Sequence, residues 1–377
     1  MSRLLSPLTL RGVTLKNRVA VSPMCQYSAR QGFANDWHFA HLARFAMGGF
    51  GTVIFEATAV VPEGRISYAD LGLWDDGHIA QLAHIVGFLH GQGAAAGIQL
   101  GHAGRKAATP LWWRGGFTET EAEKPLVGFE DWQPVAPSAV PHAPGHKLPR
   151  ELTPAELDAI RDAFVAAARR ADAAGFDLVE LHAAHGYLLN QFLSPVANHR
   201  QDAFGGALAN RMRFPLAVVR AVRQAWPQAK PLSVRISAED GIEGGWNVAD
   251  SQIFAGELKQ LGVDIVTCSS GGFDGARFAL GPGYQVPLAR ALKHGAGVAT
   301  MAVGLITQPA EAEAIIAAQD ADMVALAREA LDDPNWPLHA RMQLGGAEDP
   351  YAEWPRQAGF AVRNKDRALG LRGFAAG

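Results

Sequence analysis

The chain has 377 residues, 48% of them hydrophobic and 19% charged, with a formal net charge of −3. That allows a large core, and with no basic block neither nucleic acid nor a membrane surface is an expected partner. Two cysteines exclude a disulfide framework. The opening MSRLLSPLTLRGVTLKNR lacks the apolar core of a signal peptide, and no apolar run is long enough to span a bilayer, so a cytoplasmic protein is expected.

In chain order, residues 1–18 predict a small hairpin that caps the bottom of the main fold. Short β-rich runs ending in glycine or polar residues come at 19–23, 52–60, 95–104, 176–186, 231–240, 263–272, 298–307 and 321–329. Between most of them lie helical patterns, among them HFAHLARFAMGG, HIAQLAHIVGFLHGQG, TPAELDAIRDAFVAAARRADAAG and ADSQIFAGELKQLG. In the third of these, Thr153, Pro154 and Glu156 read as N-cap, first helical residue and capping-box partner. Eight continuous apolar strands alternating with helices predict an α/β fold with a parallel sheet covered on its outside. A (β/α)8 TIM barrel, one domain over 1–377, is the leading architecture; a doubly wound open sheet is the runner-up. The Trp- and Pro-rich segment 107–150 interrupts the repeat after the third strand. A loop of that length is usually functional, which makes it a lid over the active face; the alternative is a surface insertion that only packs. Residues 345–377 form a C-terminal tail.

Barrel active sites lie at the C-terminal ends of the strands. Strand by strand, the sequence puts there Cys25 and Tyr27, Glu56 and Thr58, Gln99, His102 and Lys106, then His182, His185 and Tyr187. Arg235, Ser269, Ser270, Gly304 and Arg328 complete the set. Carboxylates are scarce in it, which argues against a metallohydrolase, and no metal is expected. Glu180 should nonetheless face the same way as His182. The plain alternative for the two histidines and the tyrosine is a satisfied place in the core. Arg235 needs an anionic or strongly accepting partner, either Glu239 or Asp240 or a ligand. Loops after strands seven and eight of a barrel often hold phosphate. A phosphate at one end of the pocket and an electron-rich ring over its centre would satisfy Arg235 and Arg328 together, a description that fits a flavin mononucleotide.

The segments SPMCQY, EATAVVPEGR, QLGHAGRK, HAAHGYLLNQFLSP, NHRQDAFGG followed by NRMRF, and AVGLIT followed by ALARE occur in this order over nearly the whole chain. Together they resemble the Old Yellow Enzyme family of flavin-dependent ene-reductases, and the short SPMCQY form looks like its thermophilic-like, xenobiotic reductase branch. The resemblance implies non-covalent FMN at the top of a barrel, reduced by NADPH or NADH. It implies hydride delivery to the β-carbon of an α,β-unsaturated carbonyl compound or similar activated alkene, as in NADPH dehydrogenases and 2-enoate reductases. It assigns His182 and His185 to the substrate's carbonyl oxygen, Tyr187 to protonation of the α-carbon, Cys25 to tuning of the flavin, and Tyr27 to holding the substrate. Pro23, Met24, Cys25, Ala57, Gln99, Arg235, Val303, Gly304, Ala327 and Arg328 would bind FMN. Ala327 stands where the family commonly has glycine. Trp354 matches a C-terminal tryptophan that lines the substrate pocket in related reductases; the alternative is simple packing. A homodimer or homotetramer is implied. Two other readings stay open at this point: a cofactor-free barrel lyase or aldolase, and a non-catalytic flavin-binding scaffold.

Overall fold

The computed structural model describes residues 2–114, 120–345 and 348–371. Residue 1 of the expected hairpin, residues 115–119 of the insertion, and residues 346–347 and 372–377 of the tail lie outside the described residues. The chain opens with an antiparallel hairpin of β1 (Leu8–Leu10) and β2 (Val13–Leu15). Then come β3 (Val19–Val21), α1 (Asp36–Met47), β4 (Thr52–Ala59), α2 (Ile79–Gly91) and β5 (Ala95–Gly101). The insertion contributes α3 (Lys124–Val127), β6 (Val135–Ala136) and β7 (Arg150–Glu151). The repeat resumes with α4 (Pro154–Ala173), β8 (Leu178–Ala183), α5 (Leu188–Leu193), α6 (Leu208–Ala225), β9 (Leu232–Ser237), α7 (Val248–Gln260) and β10 (Ile265–Ser269). It ends with α8 (Val286–Ala296), β11 (Thr300–Ala302), α9 (Pro309–Ala317), β12 (Met323–Leu326), α10 (Arg328–Asp332), α11 (Trp336–Leu344) and α12 (Arg356–Ala368).

The parallel strands β3, β4, β5, β8, β9, β10, β11 and β12 pair in that order, and β12 closes back onto β3. The architecture is a closed (β/α)8 barrel, not an open sheet. Each strand is buried on both faces, inward by the barrel interior and outward by the helices, so continuous apolar runs are what the topology demands. Leu8, Leu10 and Val13 of the hairpin pack against Leu15, Ile54, Ile265, Met301 and Met323 at the lower end of the barrel. The upper end is thereby left to the functional groups.

The last two sequence runs overstate their strands. Only Thr300–Ala302 and Met323–Leu326 are extended. Gly304 (φ 110°) and Leu305 (φ 58°) turn the chain out of β11, and Ala327 is already the residue before α10. In α4 the Thr153 side chain accepts from the Glu156 backbone N–H, and the Glu156 carboxylate returns to the Thr153 backbone N–H at 2.8 Å. Leu157, Ile160, Phe164, Ala167, Ala168 and Ala171 then recur at helical spacing along the buried face.

The insertion is tied down at several points. Arg200 donates to the carbonyls of Pro137 (3.2 Å) and Leu152 (2.7 Å). The Ser138 hydroxyl accepts from the His199 backbone N–H at 2.9 Å. A Cβ on Gly205 would stand 2.2 Å from the Arg200 carbonyl oxygen, which gives NHRQDAFGG a scaffolding use. Among the described residues no helix is long and apolar enough to cross a membrane.

Thr153→Ala removes the N-cap acceptor of α4. The expected loss is about 0.5–2 kcal/mol of unfolding free energy, measured as a lower urea midpoint at unchanged slope; an unchanged midpoint would show that the cap contributes nothing.

Candidate active site

The fourth barrel strand delivers His182 from its inner face, level with Arg235 on β9 and, one strand further, Thr267 on β10. Beyond β8 the chain turns sharply. His185 takes a left-handed conformation (φ 58°), followed by Gly186 (φ 71°). This conformation is uncommon for a side chain larger than glycine. Several groups hold it. The Gly186 N–H donates to Asn190 Oδ1 at 2.8 Å, and Gln191 Nε2 donates to the Gly186 carbonyl at 2.7 Å. The Ser237 hydroxyl accepts from the His185 N–H at 2.9 Å. Gly272 passes directly beneath: a Cβ there would lie 2.0 Å from the His185 carbonyl carbon, and a Cβ on Gly186 would lie 2.3 Å from the Gly272 oxygen. In HAAHGYLLNQFLSP, then, Asn190 and Gln191 lock the turn that presents His185 and Tyr187.

The three rings meet edge to face. The His182 centroid is 5.2 Å from that of His185 and 4.7 Å from that of Tyr187. His182 Nδ1 accepts from the Ala184 N–H at 3.3 Å, which leaves the proton on Nε2. His185 Nε2 is 2.7 Å from Ser269 Oγ, and that oxygen receives a hydrogen bond from Gln285 Nε2 at 3.2 Å. The serine hydroxyl has one proton and two lone pairs, so it pairs with His185 Nε2 in either tautomer of the neutral ring. Burial, and then the positive charge of Arg235, hold both histidines well below the ordinary imidazole range. They are neutral N–H donors. Burial keeps the Tyr187 phenol well above its usual range, so it is a protonated O–H at neutral pH.

Cys25 and Ala57 pack with Tyr187 and Trp132 around Ile66, Ala103 and Ala107. Burial, followed by the charges of Asp70 and Glu56, raises the Cys25 thiol. It is a neutral S–H, unsuited to nucleophilic attack. Tyr27, also left-handed (φ 49°), meets Trp113 edge-on at 5.5 Å. Trp113 and Trp132 both come from the insertion. Trp132 is fixed by its Nε1 on the Glu63 carbonyl (2.8 Å) and by the Arg65 guanidinium 4.9 Å from its ring. Met24 packs on the main core, and Pro23 is half-buried next to it.

Below this layer the barrel interior is polar. Glu180 shares its carboxylate with Gln99 Nε2 (2.8 Å), the Ser233 hydroxyl (3.0 Å) and the Thr267 hydroxyl. It faces the same way as His182 and is fully taken up by these bonds. Arg235 pairs with neither Glu239 nor Asp240. Its Nη1 donates to Ser22 Oγ at 2.7 Å, while its buried Nε has no partner. Asp240 instead accepts from Ser194 and from the Trp246 N–H.

A cavity of about 450 Å³ opens beside Arg235, lined by Ser22, Ser269, Gln285, Val303, Gly304, Ala327 and Arg328 among others. Its size suits an organic cofactor. Gly304 leaves no room for a side chain, since a Cβ would meet Gln285 Cβ at 2.9 Å. Ala327 has φ −116° and ψ −88°, with φ outside the left-handed region that favours glycine. The orphaned Arg235 Nε, the glycine cradle and Arg328 fit a phosphorylated, electron-rich ring system.

Trp354 stands apart from this group. Its ring lies against His339 of α11 at 5.8 Å, and the neighbouring Glu353 acts on Lys16 at the lower end of the barrel. Sequence reasoning missed Gln285, Trp113, Trp132 and Asp70. The tryptophans had a signal, in the aromatic richness of the insertion; Gln285 and Asp70 had none.

A closed barrel with a polar mouth, a phosphate-sized cradle and neutral donors over the pocket defines a flavin-dependent oxidoreductase. Residues 3–346 match the NADH:flavin oxidoreductase / NADH oxidase family, and the chain belongs to this family, that of Old Yellow Enzyme. It is 45% identical over 344 residues to an NADPH dehydrogenase of Geobacillus thermodenitrificans, covering 91% of this chain and 94% of that protein. An NADPH dehydrogenase of Halalkalibacterium halodurans is 44% identical over 345 residues, 91% of this chain and 95% of the relative. Among solved structures, morphinone reductase superposes with a TM-score of 0.76 at 26% identity, over 94% of this chain and 96% of that one. A 2-naphthoyl-CoA reductase reaches 0.80 at 26% identity over 93% of this chain, which spans 53% of that longer protein. The cofactor is FMN and the reductant a nicotinamide, which sets aside the cofactor-free lyase.

Gly272→Ala forces the His185–Gly186 turn to move. Binding of a phenolate anion, measured by flavin absorbance titration, should weaken by roughly tenfold or more while FMN content is retained. Unchanged affinity would show that the turn does not position the anion site.

Proposed function

We propose that the enzyme reduces the C=C bond of α,β-unsaturated carbonyl compounds, in two half-reactions that use the same pocket in turn. The observation that carries this is the meeting of two neutral imidazoles and a protonated phenol at one strand end. Nucleophilic attack would call for an ionised phenol or thiol instead. When bound, FMN would supply the redox chemistry, hydride transfer between the nicotinamide and the alkene.

The chain's own residues do the rest. The cavity beside Arg235 would hold FMN. Its phosphate would lie toward Gly304 and Arg328, and Ala57, Gln99, Pro23, Met24 and Val303 would border the remainder. Arg235 offers an unused N–H to the electron-rich part of the ligand. The His182 and His185 N–H groups would hold the carbonyl oxygen of the substrate and stabilise the negative charge that develops there, in the manner of an oxyanion hole. Because both are neutral they orient the substrate without giving up a proton. The Tyr187 O–H would then pass its proton to the α-carbon. Tyr27 would lie along the other side of the substrate, with the insertion's Trp132 and Trp113 excluding water as a lid. Cys25 would touch the flavin as a neutral, polarisable thiol.

Tyr187→Phe keeps the ring and removes the proton. Reduction of the flavin by NADPH should survive, and reoxidation by an enone should slow roughly 10²–10⁴-fold in anaerobic stopped-flow measurements. Equal losses in both half-reactions would give Tyr187 a binding role instead. Cys25→Ala should shift the flavin's reduction potential in a redox titration while turnover persists. Complete inactivity at full FMN occupancy would reinstate a nucleophile.

A further inference from the structure

Lys106 closes the short helical turn Gly104–Lys106 after β5, and none of the steps above uses it. Its Nζ donates to the His185 carbonyl at 3.0 Å and to the Gly272 carbonyl at 3.2 Å. The same nitrogen lies 5.0 Å from the centroid of the Tyr187 ring. Among the described residues no carboxylate pairs with it. A half-buried ammonium with two backbone carbonyls and an aromatic face for company is an unusual arrangement, because its charge stays largely uncompensated. The groups that face it are Arg105 on its own turn, His142 from the insertion, and His182, His185 and Tyr187 from the end of β8. Of these, only Tyr187 can acquire negative charge.

We infer that Lys106 is a positioning residue for proton delivery: its ammonium stabilises the phenolate left when Tyr187 gives up its proton. A cation over a neutral ring is held by the ring's quadrupole. Once the O–H proton has moved to carbon, the ring bears a full negative charge, and the attraction becomes Coulombic in a site with little water. The interaction is thus stronger after proton transfer than before it, which is the condition for accelerating a step rather than merely binding a reactant. The proton balance is simple. The Tyr187 O–H bond breaks, a C–H bond forms, and the charge left on oxygen is stabilised by Lys106 together with Arg235 until the phenol is reprotonated from solvent.

Burial, and then Arg105, lower the ammonium to about 8. A lowered lysine is charged below that value and neutral above it, so the stabilising charge is present at pH 7 and lost as the pH rises through about 8.

This inference rests on the proton-donor reading of Tyr187, and the test separates the two. FMN-loaded parent, Lys106→Met, Lys106→Arg, Tyr187→Phe and the Lys106→Met/Tyr187→Phe double variant are reduced anaerobically with NADPH and reoxidised with saturating cyclohexenone over pH 6 to 10. Lys106→Met should slow reoxidation by roughly 10- to 100-fold and leave reduction within about twofold. Lys106→Arg should recover most of the rate. The parent's rate should fall as the pH passes about 8, with that step missing in Lys106→Met and moved upward in Lys106→Arg. In the double variant, Lys106→Met should add nothing to the loss caused by Tyr187→Phe. A full additional loss in the double variant, equal slowing of both half-reactions, or a parent-like pH step in Lys106→Met would overturn the inference. If Lys106→Met fails to fold, the parent and Lys106→Arg profiles decide, and coincident profiles count against it. If Tyr187→Phe reoxidises at the parent's rate, the proton-donor reading itself has failed.

Discussion

The site depends on one strained turn. His185 sits in a backbone region that a branched or bulky residue avoids, packed so closely on Gly272 that any side chain there would collide with it. Asn190 and Gln191 satisfy the freed groups on one side, Lys106 on the other, and Ser237 holds the amide. If the turn relaxed toward ordinary helix or strand geometry, His185 would leave His182 and the Tyr187 ring would rotate away from both. The cost of the strained conformation, of order 1–3 kcal/mol, is met by a network whose members come from the turn after β5, α5, β9 and the loop after β10. Folding of the whole barrel is what makes the turn affordable.

The polar interior below the site obeys the same logic. A buried Arg235 would be expensive alone. Glu180 supplies opposite charge from the layer beneath, and its carboxylate is itself satisfied by Gln99, Ser233 and Thr267. Arg235 therefore stays charged while its buried Nε keeps a hydrogen bond unused. Its charge in turn helps keep the two histidines neutral. The protonation states on which the chemistry relies are set largely by what surrounds the rings, not by the rings themselves.

The sequence disclosed most of what local rules govern. Strand cores were legible because strands buried on both faces must be continuously apolar. The α4 start was legible because a capping box has a fixed spacing. The His–His–Tyr cluster was legible because three polar groups at one strand end have few uses. What remained hidden involved partners distant in sequence. Glu56 falls where the pairing of β4 with β5 slips between Phe55 and Ala57, a bulge that no alternation pattern reveals. It accepts from the Gln26 N–H at 3.1 Å and acts with Asp70 on Cys25, so the apparently uncharged SPMCQY segment lies in an acidic setting. Gln285 reaches Ser269 across a loop, a contact with no local signature. The short α9, PAEAEAIIA, likewise lacks the broad apolar stripe that would announce it.

The wall of the barrel is uneven in height. β4 and β5 run for 8 and 7 residues, whereas β3 and β11 have 3 each and β12 has 4. The low side is the cavity side, since Ser22, Val303 and Ala327 come directly after the three short strands. Backbone groups there leave the ladder early and are available to a ligand, as they would not be in a taller wall. The same shortness makes this arc the weakest part of the cylinder's hydrogen bonding, and local opening begins where such bonds are fewest. A ligand that bridges these strand ends favours the closed barrel by mass action, with a contribution that rises with the logarithm of its concentration. Cofactor supply would then govern how long the protein survives proteolysis as well as how fast it turns over.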